Sequence, residues 1–287
     1  MRVLVTGSNG FLGNHLFNYL SSKKIDVLGV DIKNSKKKNS KTLIGDLGDD
    51  KFLKKIFSKK IDYIFHFAAI ADINYCSNNP LEVVKENILN TVKLLQCAQK
   101  YKIKRFIFSS SVYVNSNEGS FYKSSKVASE SFIKEFSKKY NLNYTILRFG
   151  SLYGPGSESN NGVHRIIERA IKENKVSYEG DPDAMREFIH IEDAASACFE
   201  ILKNEYKNNT ILVTGNTSIK IYDLLNTISE IMQLNTKIKF NKNTNEGHYI
   251  RTPYNYFYDE EKKLNLKLST DLGKGIIEVI KYIKNNE

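Results

Sequence analysis

A tyrosine and a lysine one helical turn apart are the residues of this sequence best suited to proton chemistry. Tyr122 and Lys126 are separated by four positions, which places both side chains on one face of a helix. A free phenol has a pKa of about 10 and is a weak base at neutral pH, but a neighbouring ammonium group favours the phenolate and lowers that pKa. The pair therefore predicts a group that takes and returns a proton on a sugar or alcohol hydroxyl.

A glycine-rich turn near the N-terminus supplies a second element. The strand candidate Val3–Val5 runs into Gly7, Gly10 and Gly13, and a helical pattern covers Phe11–Leu20. Glycines let the backbone approach a pyrophosphate closely, and a helix N-terminus offers free N–H groups and a positive dipole. This order predicts a site for a nicotinamide dinucleotide. Together with the Tyr–Lys pair, it indicates hydride transfer at a carbinol carbon.

Two acidic residues stand at the ends of predicted strands. Asp31 lies about 20 residues beyond the glycines, where a carboxylate accepts hydrogen bonds from the adenosine ribose hydroxyls and repels a 2′-phosphate. NAD is therefore favoured over NADP, although Lys33 opposes this preference. Asp46, followed by Leu47, closes the third predicted strand. An acid there either contacts the adenine amino group or caps the following helix, and both interpretations stay open.

Strand and helix patterns alternate through the first half of the chain. The predicted strands are Val3–Val5, Asp26–Val30, Thr42–Ile44, Tyr63–Phe67, Phe106–Ser109 and Tyr144–Leu147. Between them lie the predicted helices Phe11–Leu20, Asp50–Phe57, Pro80–Lys100 and Lys123–Tyr140. This alternation predicts an α/β fold with a parallel sheet covered on both faces. The regular pattern ends at the turn signal Gly154-Pro155-Gly156, and shorter elements follow, including a predicted helix that Asp193 would cap.

Composition excludes several classes of protein. The 287 residues are 41% hydrophobic and 26% charged, which is ordinary for a globular chain, and no apolar run is long enough to span a membrane. Cys76, Cys97 and Cys198 have no CxxC spacing, so we expect free thiols and a cytoplasmic location. Histidines are too dispersed to predict a metal site. The net charge of +11 comes from lysine, as in Lys36–Lys38, and is interpreted as solvated surface rather than a nucleic-acid site.

These motifs together resemble the extended short-chain dehydrogenase/reductase superfamily, in its NAD-dependent nucleotide-sugar epimerase/dehydratase branch. The matching segments are VTGSNGFLG (5–13), Asp31, GDL (45–47), HFAA (66–69), Asn87 with Asn90-Thr91, FIFSSSVYV (106–114), Tyr122-x-x-x-Lys126, LRFGSLYGPG (147–156) and REFIHIEDAA (186–195). The resemblance covers residues 1 to about 195 and is weaker beyond. The order and spacing of the matching segments make a chance match improbable.

The resemblance implies an architecture and a cofactor. It implies a Rossmann-type doubly wound parallel sheet that carries NAD, with a smaller C-terminal domain for a nucleotide sugar. The NAD-binding domain would span 1–150 with a return segment near 189–215, and the substrate-binding domain would span 151–188 and 216–287. It also implies a homodimer, formed through the helices that contain Asn87 and Tyr122–Lys126.

The resemblance also assigns roles to residues. Tyr122 would be the acid/base catalyst, Lys126 would hold the nicotinamide ribose and lower the Tyr122 pKa, and a serine would hydrogen-bond the reacting oxygen. Alignment from Phe106 favours Ser111 as that serine, whereas alignment from Val112-Tyr113 favours Ser109. The implied cofactor contacts are Gly7, Asn9, Gly10, Phe11, Leu12, Gly13, Asp31, Asp46, Leu47, Phe67, Ala68, Ala69, Asn87, Ser109 and Lys126. Arg186 and, with less support, Arg251 would contact the substrate diphosphate.

Two departures from the family pattern bear on the reaction. Dehydratases of the family place an Asp-Glu pair directly after the catalytic Ser or Thr, but this chain has Val112 and Tyr113, which argues against a dehydratase. The connection from Asn115 to Tyr122 is also shorter than in most members. Because Asp31 favours NAD, whereas reductases that take their cofactor from solution more often use NADPH, we expect an epimerase that acts at sugar C4 through a transient keto intermediate, with a UDP-sugar favoured. The alternatives are an NAD(P)H-dependent keto-sugar reductase and, more distantly, a non-catalytic dinucleotide-binding regulator.

Overall fold

The computed structural model describes residues 1–34, 41–234, 237–241, 248–251, 253, 261–265 and 269–286. The lysine cluster 36–38 lies outside these residues. The strands are β1 (Arg2–Thr6), β2 (Asp26–Asp31), β3 (Thr42–Ile44), β4 (Tyr63–His66), β5 (Arg105–Ser111), β6 (Tyr144–Phe149), β7 (Ser151–Tyr153), β8 (Ser177–Glu179), β9 (Met185–Arg186), β10 (Phe188–His190), β11 (Asn209–Val213), β12 (Ile219–Lys220), β13 (Lys239–Asn241) and β14 (Glu261–Lys263).

Helices connect these strands. They are α1 (Phe11–Ser22), α2 (Asp50–Phe57), α3 (Ile73–Asn78), α4 (Pro80–Val83), α5 (Asn90–Lys100), α6 (Ser120–Tyr140), α7 (Gly162–Glu173), α8 (Ile191–Glu200), α9 (Ile221–Ile231) and α10 (Leu272–Lys284). Short 3₁₀ helices cover Val112–Asn115 and Asn204–Tyr206. In the described ranges, no helix has the length and apolar character needed to cross a membrane.

The main sheet is parallel and has the order β3-β2-β1-β4-β5-β6-β11-β14. The prediction of a Rossmann-type doubly wound sheet is therefore confirmed. The chain reverses its direction of travel across the sheet between β1 and β4, and this switch point is where doubly wound sheets bind ligands. The loops after these two strands lie side by side at the carboxyl edge, so the glycine turn and the segment after β4 face each other.

Alternating side chains of the strands feed two separate apolar cores. On one face, Val3 and Val5 pack with Leu16 of α1 and with α8. On the other face, Leu4 packs with α2 and with Leu94 of α5. Both faces are buried, which explains why the strands appear in the sequence as continuous apolar runs rather than as alternating ones.

A third apolar core lies outside the main sheet. It is built from α7, α9 and α10, with Ile167, Leu225 and Ile276 fully buried in it. Tyr153 joins this core from β7, and Gly275 of α10 packs against its ring so closely that a Cβ would lie 2.4 Å from the Tyr153 hydroxyl. Residues of this core run from position 153 to position 283, so part of the second half of the chain has a core separate from those on the main sheet.

The predicted helix Pro80–Lys100 is helical throughout but not uniform. Its residues Val84–Leu89 form a π-helical turn between α4 and α5. Such a turn contains one extra residue, shifts the faces of the helix on either side of it, and often occurs at functional sites. The buried Asn87 lies inside this turn. The hydrophobic pattern of the sequence gave no sign of the insertion.

The prediction that Asp193 caps a helix is wrong. Helix α8 begins two residues earlier, and its N-cap position is occupied by His190. Asp193 lies in the first turn, where its carboxylate accepts hydrogen bonds from the Thr270 backbone N–H at 2.7 Å and from the Thr270 hydroxyl at 3.2 Å. The residue therefore fastens the segment that leads into α10 to the first turn of α8. The predicted free thiols are confirmed for all three cysteines.

The glycine turn permits a direct test of packing. A Cβ at Gly13 would lie 2.0 Å from the Gly7 carbonyl oxygen, whereas a Cβ at Gly162 in α7 would meet nothing within 4 Å. We expect Gly13→Ala to lower the free energy of unfolding by about 1–3 kcal/mol, as overpacked sites do. The matched Gly162→Ala control is expected to leave it unchanged or slightly raised. Urea denaturation measures both, and equal effects at the two sites would contradict this packing.

Candidate active site

The glycine turn is built to receive an anionic group. Gly7 has φ of +69°, and a Cβ there would lie 2.8 Å from the Ala68 backbone nitrogen on the facing loop. Gly10 occupies the N-cap position of α1 and makes no side-chain capping bond. The backbone N–H groups of the first helical turn, which begins with Phe11 and Leu12, are therefore left for a ligand. This geometry fits the pyrophosphate of a dinucleotide.

Asp31 connects the end of β2 to the glycine turn. Its Oδ2 accepts a hydrogen bond from the Asn9 backbone N–H, and its Oδ1 accepts one from the Lys33 backbone N–H, both at 2.8 Å. Each carboxylate oxygen keeps a second lone pair, which suits the two hydroxyls of a ribose. The Asn9 Oδ1 is buried without a hydrogen-bond partner among the described residues. An unsatisfied buried acceptor at this position is consistent with a bound dinucleotide.

Asp46 does not cap the following helix, so that interpretation is wrong. The N-cap of α2 is Asp49, whose side chain accepts from the Lys51 backbone N–H. The Asp46 Oδ1 instead accepts from the Gly48 backbone N–H at 2.7 Å, and its Oδ2 lies 3.9 Å from Lys85 Nζ. The carboxylate is thus held in a tight turn at the sheet edge. Its predicted contact with the adenine amino group stays a prediction.

The three consecutive serines at the end of β5 have different partners. The Ser110 hydroxyl donates to the buried Glu130 carboxylate, so it points away from Tyr122. The Ser109 carbonyl oxygen accepts a hydrogen bond from a lysine of α6. Ser111 is hydrogen-bonded to the Tyr122 side chain and also accepts from the Tyr113 backbone N–H at 3.3 Å. Of the three serines, Ser111 is therefore the one that the fold brings to the tyrosine hydroxyl.

Burial dominates the electrostatics of the Tyr–Lys pair. Lys126 Nζ donates to the Ser109 carbonyl oxygen at 2.8 Å and lies 5.7 Å from the centre of the Tyr122 ring. Burial lowers the pKa of Lys126 to about 8, and the Glu130 carboxylate opposes part of that shift. Burial raises the pKa of Tyr122 to about 12, against the hydrogen bond from Ser111. The lowering of the Tyr122 pKa expected from Lys126 is not found in the chain alone, because desolvation of the phenolate outweighs the hydrogen bond with Ser111.

Asn87 holds the site together from the π-helical turn. Its Oδ1 accepts from the Ile70 backbone N–H at 2.8 Å, while its Nδ2 donates to the Ile70 carbonyl at 2.9 Å and to Ser125 Oγ at 3.0 Å. Both hydrogens of the amide are thus used within the protein. The contacts join the loop after β4, which contains Phe67 and Ala69, to helix α6. Asn87 therefore buttresses the site.

A buried histidine that the sequence analysis left without a role links the same elements. Thr91 Oγ1 donates to the Asn87 carbonyl at 2.6 Å, so it can only accept from His66 Nε2 at 2.9 Å. His66 Nδ1 then accepts from Thr6 Oγ1 at 2.8 Å, and that oxygen accepts from the Phe67 backbone N–H. Burial and the Lys126 charge lower the pKa of His66 to about 3, which keeps the ring neutral. The sequence signal that could have revealed this role was the position of His66 at the start of the HFAA motif.

Arg186 is brought to an aromatic cluster next to Tyr122. Its guanidinium lies 4.2 Å from the centre of the buried Tyr249 ring, and its Nη1 donates to the Met185 carbonyl at 2.8 Å. Arg251 is exposed on the same short segment as Tyr249, and its contact with substrate stays a prediction. Tyr249 was missed because its segment has no regular secondary structure.

Comparison with known proteins identifies the family. The model of the NAD dependent epimerase/dehydratase family matches residues 3–215 of the chain. The chain belongs to this family. It is therefore an enzyme of the extended short-chain dehydrogenase/reductase type, and NAD is its cofactor, in agreement with the glycine turn and Asp31.

Three relatives show the range of this family. A Methanocaldococcus jannaschii protein named "Putative UDP-glucose 4-epimerase" is 28% identical over 99% of this chain and 99% of its own length. The dTDP-D-glucose 4,6-dehydratase of Homo sapiens is 27% identical over 81% of this chain and 73% of its own. The structure of UDP-glucuronic acid 4-epimerase from Bacillus cereus with UDP-glucuronic acid and NAD superposes with a TM-score of 0.86, at 22% identity and full coverage of both chains.

The buried lysine predicts a pH-dependent stability. The Lys126 pKa of about 8 lies below the usual 10.5, so the unfolded chain binds more protons between these pH values and stability rises with pH in this window. Relative to Lys126→Met, the wild type should gain up to roughly 3 kcal/mol between pH 8 and pH 10.5.

Urea denaturation at pH 7.5, 9 and 10 measures this gain. The exposed Lys134, on the same helix, provides the control, since Lys134→Met is expected to differ from the wild type by the same amount at each pH. A difference between wild type and Lys126→Met that does not change with pH would show that burial does not shift the Lys126 pKa.

Proposed function

We propose that this enzyme is a nucleotide-sugar 4-epimerase with a UDP-sugar as substrate. The single observation that carries the proposal is the placement of Ser111, Tyr122 and Lys126 beside the glycine turn, together with Val112 and Tyr113 directly after the serine. An acid/base and a hydrogen-bond donor for a carbinol oxygen are present, whereas the Asp-Glu pair of the dehydratases is not. The names of the epimerases among the relatives support the same reaction.

In the proposed mechanism, the same residues serve the oxidation of C4 to a ketone and its later reduction back to an alcohol. Tyr122 takes the proton of the C4 hydroxyl, and Ser111 donates a hydrogen bond to the same oxygen as it becomes a carbonyl. NAD, held by the glycine turn and Asp31, would supply the hydride acceptor and donor for C4, and the charge of its nicotinamide would favour the Tyr122 phenolate. Lys126 binds the nicotinamide ribose and adds positive charge. The keto sugar turns over in the site before Tyr122 returns the proton, which inverts C4.

The proposal predicts where the C4 hydrogen goes. With UDP-glucose or UDP-glucuronate deuterated at C4, the epimer should keep the deuterium, and no reduced cofactor should accumulate. NMR of the products and absorbance of the released cofactor measure these outcomes. A reductase or dehydrogenase would transfer the label to free cofactor. Purified protein that binds NAD but converts no sugar nucleotide would support the non-catalytic regulator instead.

Substitutions test the assigned residues in the same assay. Tyr122→Phe is expected to lower kcat by about 10²–10⁴-fold through loss of the proton-transfer group. Ser111→Ala is expected to lower kcat by about 10²–10³-fold through loss of one hydrogen bond to the developing charge. Ser124 lies exposed on the same helix as Tyr122, so Ser124→Ala should leave kcat unchanged. Equal activity of Ser111→Ala and wild type would remove Ser111 from the mechanism.

We also propose the division of the chain into an NAD-binding unit, 1–150 with 189–215, and a substrate-binding unit, 151–188 and 216–287. The separate apolar core of α7, α9 and α10 supports this division. Strand β14 is an addition to the first unit, because it pairs with β11 at the edge of the main sheet. A substrate would then lie between the two units, above Tyr122.

We propose in addition that the enzyme is a homodimer. Large apolar side chains are exposed on α4 with the π-helical turn after it, and on α6. Their exposed fractions are 85% for Leu81, 51% for Val84, 45% for Phe121 and 43% for Phe132. Phe121 and Phe132 are eleven residues apart, three helical turns, and so share one side of α6. Exposed apolar surface of this kind marks interfaces between proteins.

Charges placed on this surface test the dimer. Light scattering after gel filtration should give twice the chain mass of 32.9 kDa for the wild type. It should give a monomer for the double variant Leu81→Glu/Phe132→Glu, because two buried carboxylates in each subunit would lack partners. Tyr222 on α9 is similarly exposed, and Tyr222→Glu should stay dimeric. A monomeric wild type would contradict the proposal.

A further inference from the structure

A short segment of the second half of the chain lies next to Tyr122. Tyr113 follows β5, and its ring stands edge-on to the Tyr122 ring with 6.3 Å between the centres. The Tyr113 hydroxyl lies 2.6 Å from His248 Nδ1, and the ring centre of Tyr249 lies 4.8 Å from that of Tyr113. His248 is thus connected to the proposed catalytic tyrosine through a single side chain.

Further contacts fix this segment and its partner. The Met185 backbone N–H donates to the Ile250 carbonyl at 2.7 Å, and Tyr249 is buried under the Arg186 guanidinium. Gly119, with φ of +106°, packs against Tyr113 so closely that a Cβ would lie 2.8 Å from the Tyr113 ring. The short connection before α6 therefore holds the Tyr113 ring in place, and His248 has a defined position beside it.

The surroundings of His248 indicate the charge of its imidazole and which ring nitrogen carries the hydrogen. Burial raises the pKa of Tyr113 far above its usual range, so its hydroxyl keeps its hydrogen at neutral pH. Burial and the charges of Arg186 and Arg165 lower the pKa of His248, while Asp72 opposes them, so the imidazole is neutral at pH 7. Either group could donate in this contact, but the Tyr113 hydroxyl has no other acceptor among the described residues, so we assign it as the donor, which places the imidazole hydrogen on Nε2. This Nε2–H has no hydrogen-bond partner within the described residues.

The charges around this donor favour a negatively charged partner. Arg186 and Arg165 both act on His248, and Asp72 is the one acidic group among the described residues that acts on it. Arg186 is itself buried, with its guanidinium carbon 4.2 Å from the centre of the Tyr249 ring. A fixed N–H donor in a field of excess positive charge binds an anionic oxygen better than a neutral one.

We propose that His248, held by Tyr113, is a substrate-binding residue whose Nε2–H donates to an anionic oxygen of the nucleotide sugar. This inference rests on the proposed function. Two groups supply such an oxygen, the diphosphate that every nucleotide sugar carries and the C6 carboxylate of a uronate sugar. If His248 binds the diphosphate, every nucleotide ligand depends on it, whereas if it binds the carboxylate, only a uronate sugar does. Binding experiments can therefore distinguish the two groups.

Calorimetric titration of the NAD-loaded enzyme with UDP, UDP-glucose and UDP-glucuronate makes the test. If the diphosphate is bound, His248→Phe should weaken all three ligands by about 10- to 100-fold, the loss of one charge-assisted hydrogen bond. If the carboxylate is bound, only UDP-glucuronate should weaken. His248→Gln should recover part of the loss, because its amide N–H takes the place of Nε2–H. Binding of all three ligands within about twofold of wild type would overturn the inference.

Two further variants, with measurements of NAD content and melting temperature, distinguish a loss of ligand binding from a loss of folded structure. Tyr113→Phe keeps the ring and removes the hydroxyl, so it should weaken the same ligands as His248→Phe, by a smaller factor. Tyr222→Phe, at an exposed position of α9 with no contact to His248 or Tyr113 among the described residues, should change no affinity. NAD content and melting temperature equal to those of the wild type show that each variant is folded. A wild type that binds none of the three ligands would refute the proposed function itself, whereas normal binding by His248→Phe would refute only this inference.

Discussion

One buried chain of hydrogen bonds determines how the two halves of the active site meet. It begins at the end of β1, where the Thr6 hydroxyl accepts from the loop after β4, and continues through His66 to Thr91 and the Asn87 carbonyl. Asn87 in turn contacts the helix that presents Tyr122, through Ser125 and Ser129. Each donor has one acceptor, so the neutral state and tautomer of His66 are fixed. The glycine turn and α6, which carries the proposed catalytic tyrosine, are thereby held as one unit, since a fully satisfied buried network makes a core rigid.

Local patterns in the sequence were sufficient for the first six strands of the sheet, β1 to β6, and for most of the cofactor turn. The strand–glycine–helix order after Val3–Val5 and the acid at Asp31 depend on neighbours in the chain, and so does the spacing of Tyr122 and Lys126. The π-helical turn around Asn87 depends instead on packing between helices, and the hydrophobic pattern is the same with or without it. The choice of Ser111 over its neighbours required knowing that Ser110 faces Glu130, which is a property of the folded sheet.

The electrostatics were the least accessible to sequence reasoning. The spacing of Tyr122 and Lys126 indicates a favourable charge interaction. Whether the Tyr122 pKa rises or falls depends on burial, however, and the spacing carries no information about burial. Burial also brings compensation: Glu130 lies near Lys126 and forms a two-pronged ion pair with Arg148 at 2.6 and 3.0 Å. The positive charge of the lysine is thus favoured near neutral pH by the carboxylate of Glu130, one helical turn beyond the Tyr-x-x-x-Lys motif and not part of it.

A double-mutant cycle on the hydrogen-bond chain tests the central claim most directly. Thr6 and Thr91 bond opposite nitrogens of His66, so Thr6→Val and Thr91→Val should be coupled by more than about 0.5 kcal/mol in the free energy of unfolding. Thr145, three strands away from β1 and equally buried, supplies the control pair with Thr6, which should be additive. Additive effects of Thr6→Val and Thr91→Val would contradict the account, because the two halves of the site would then be held independently.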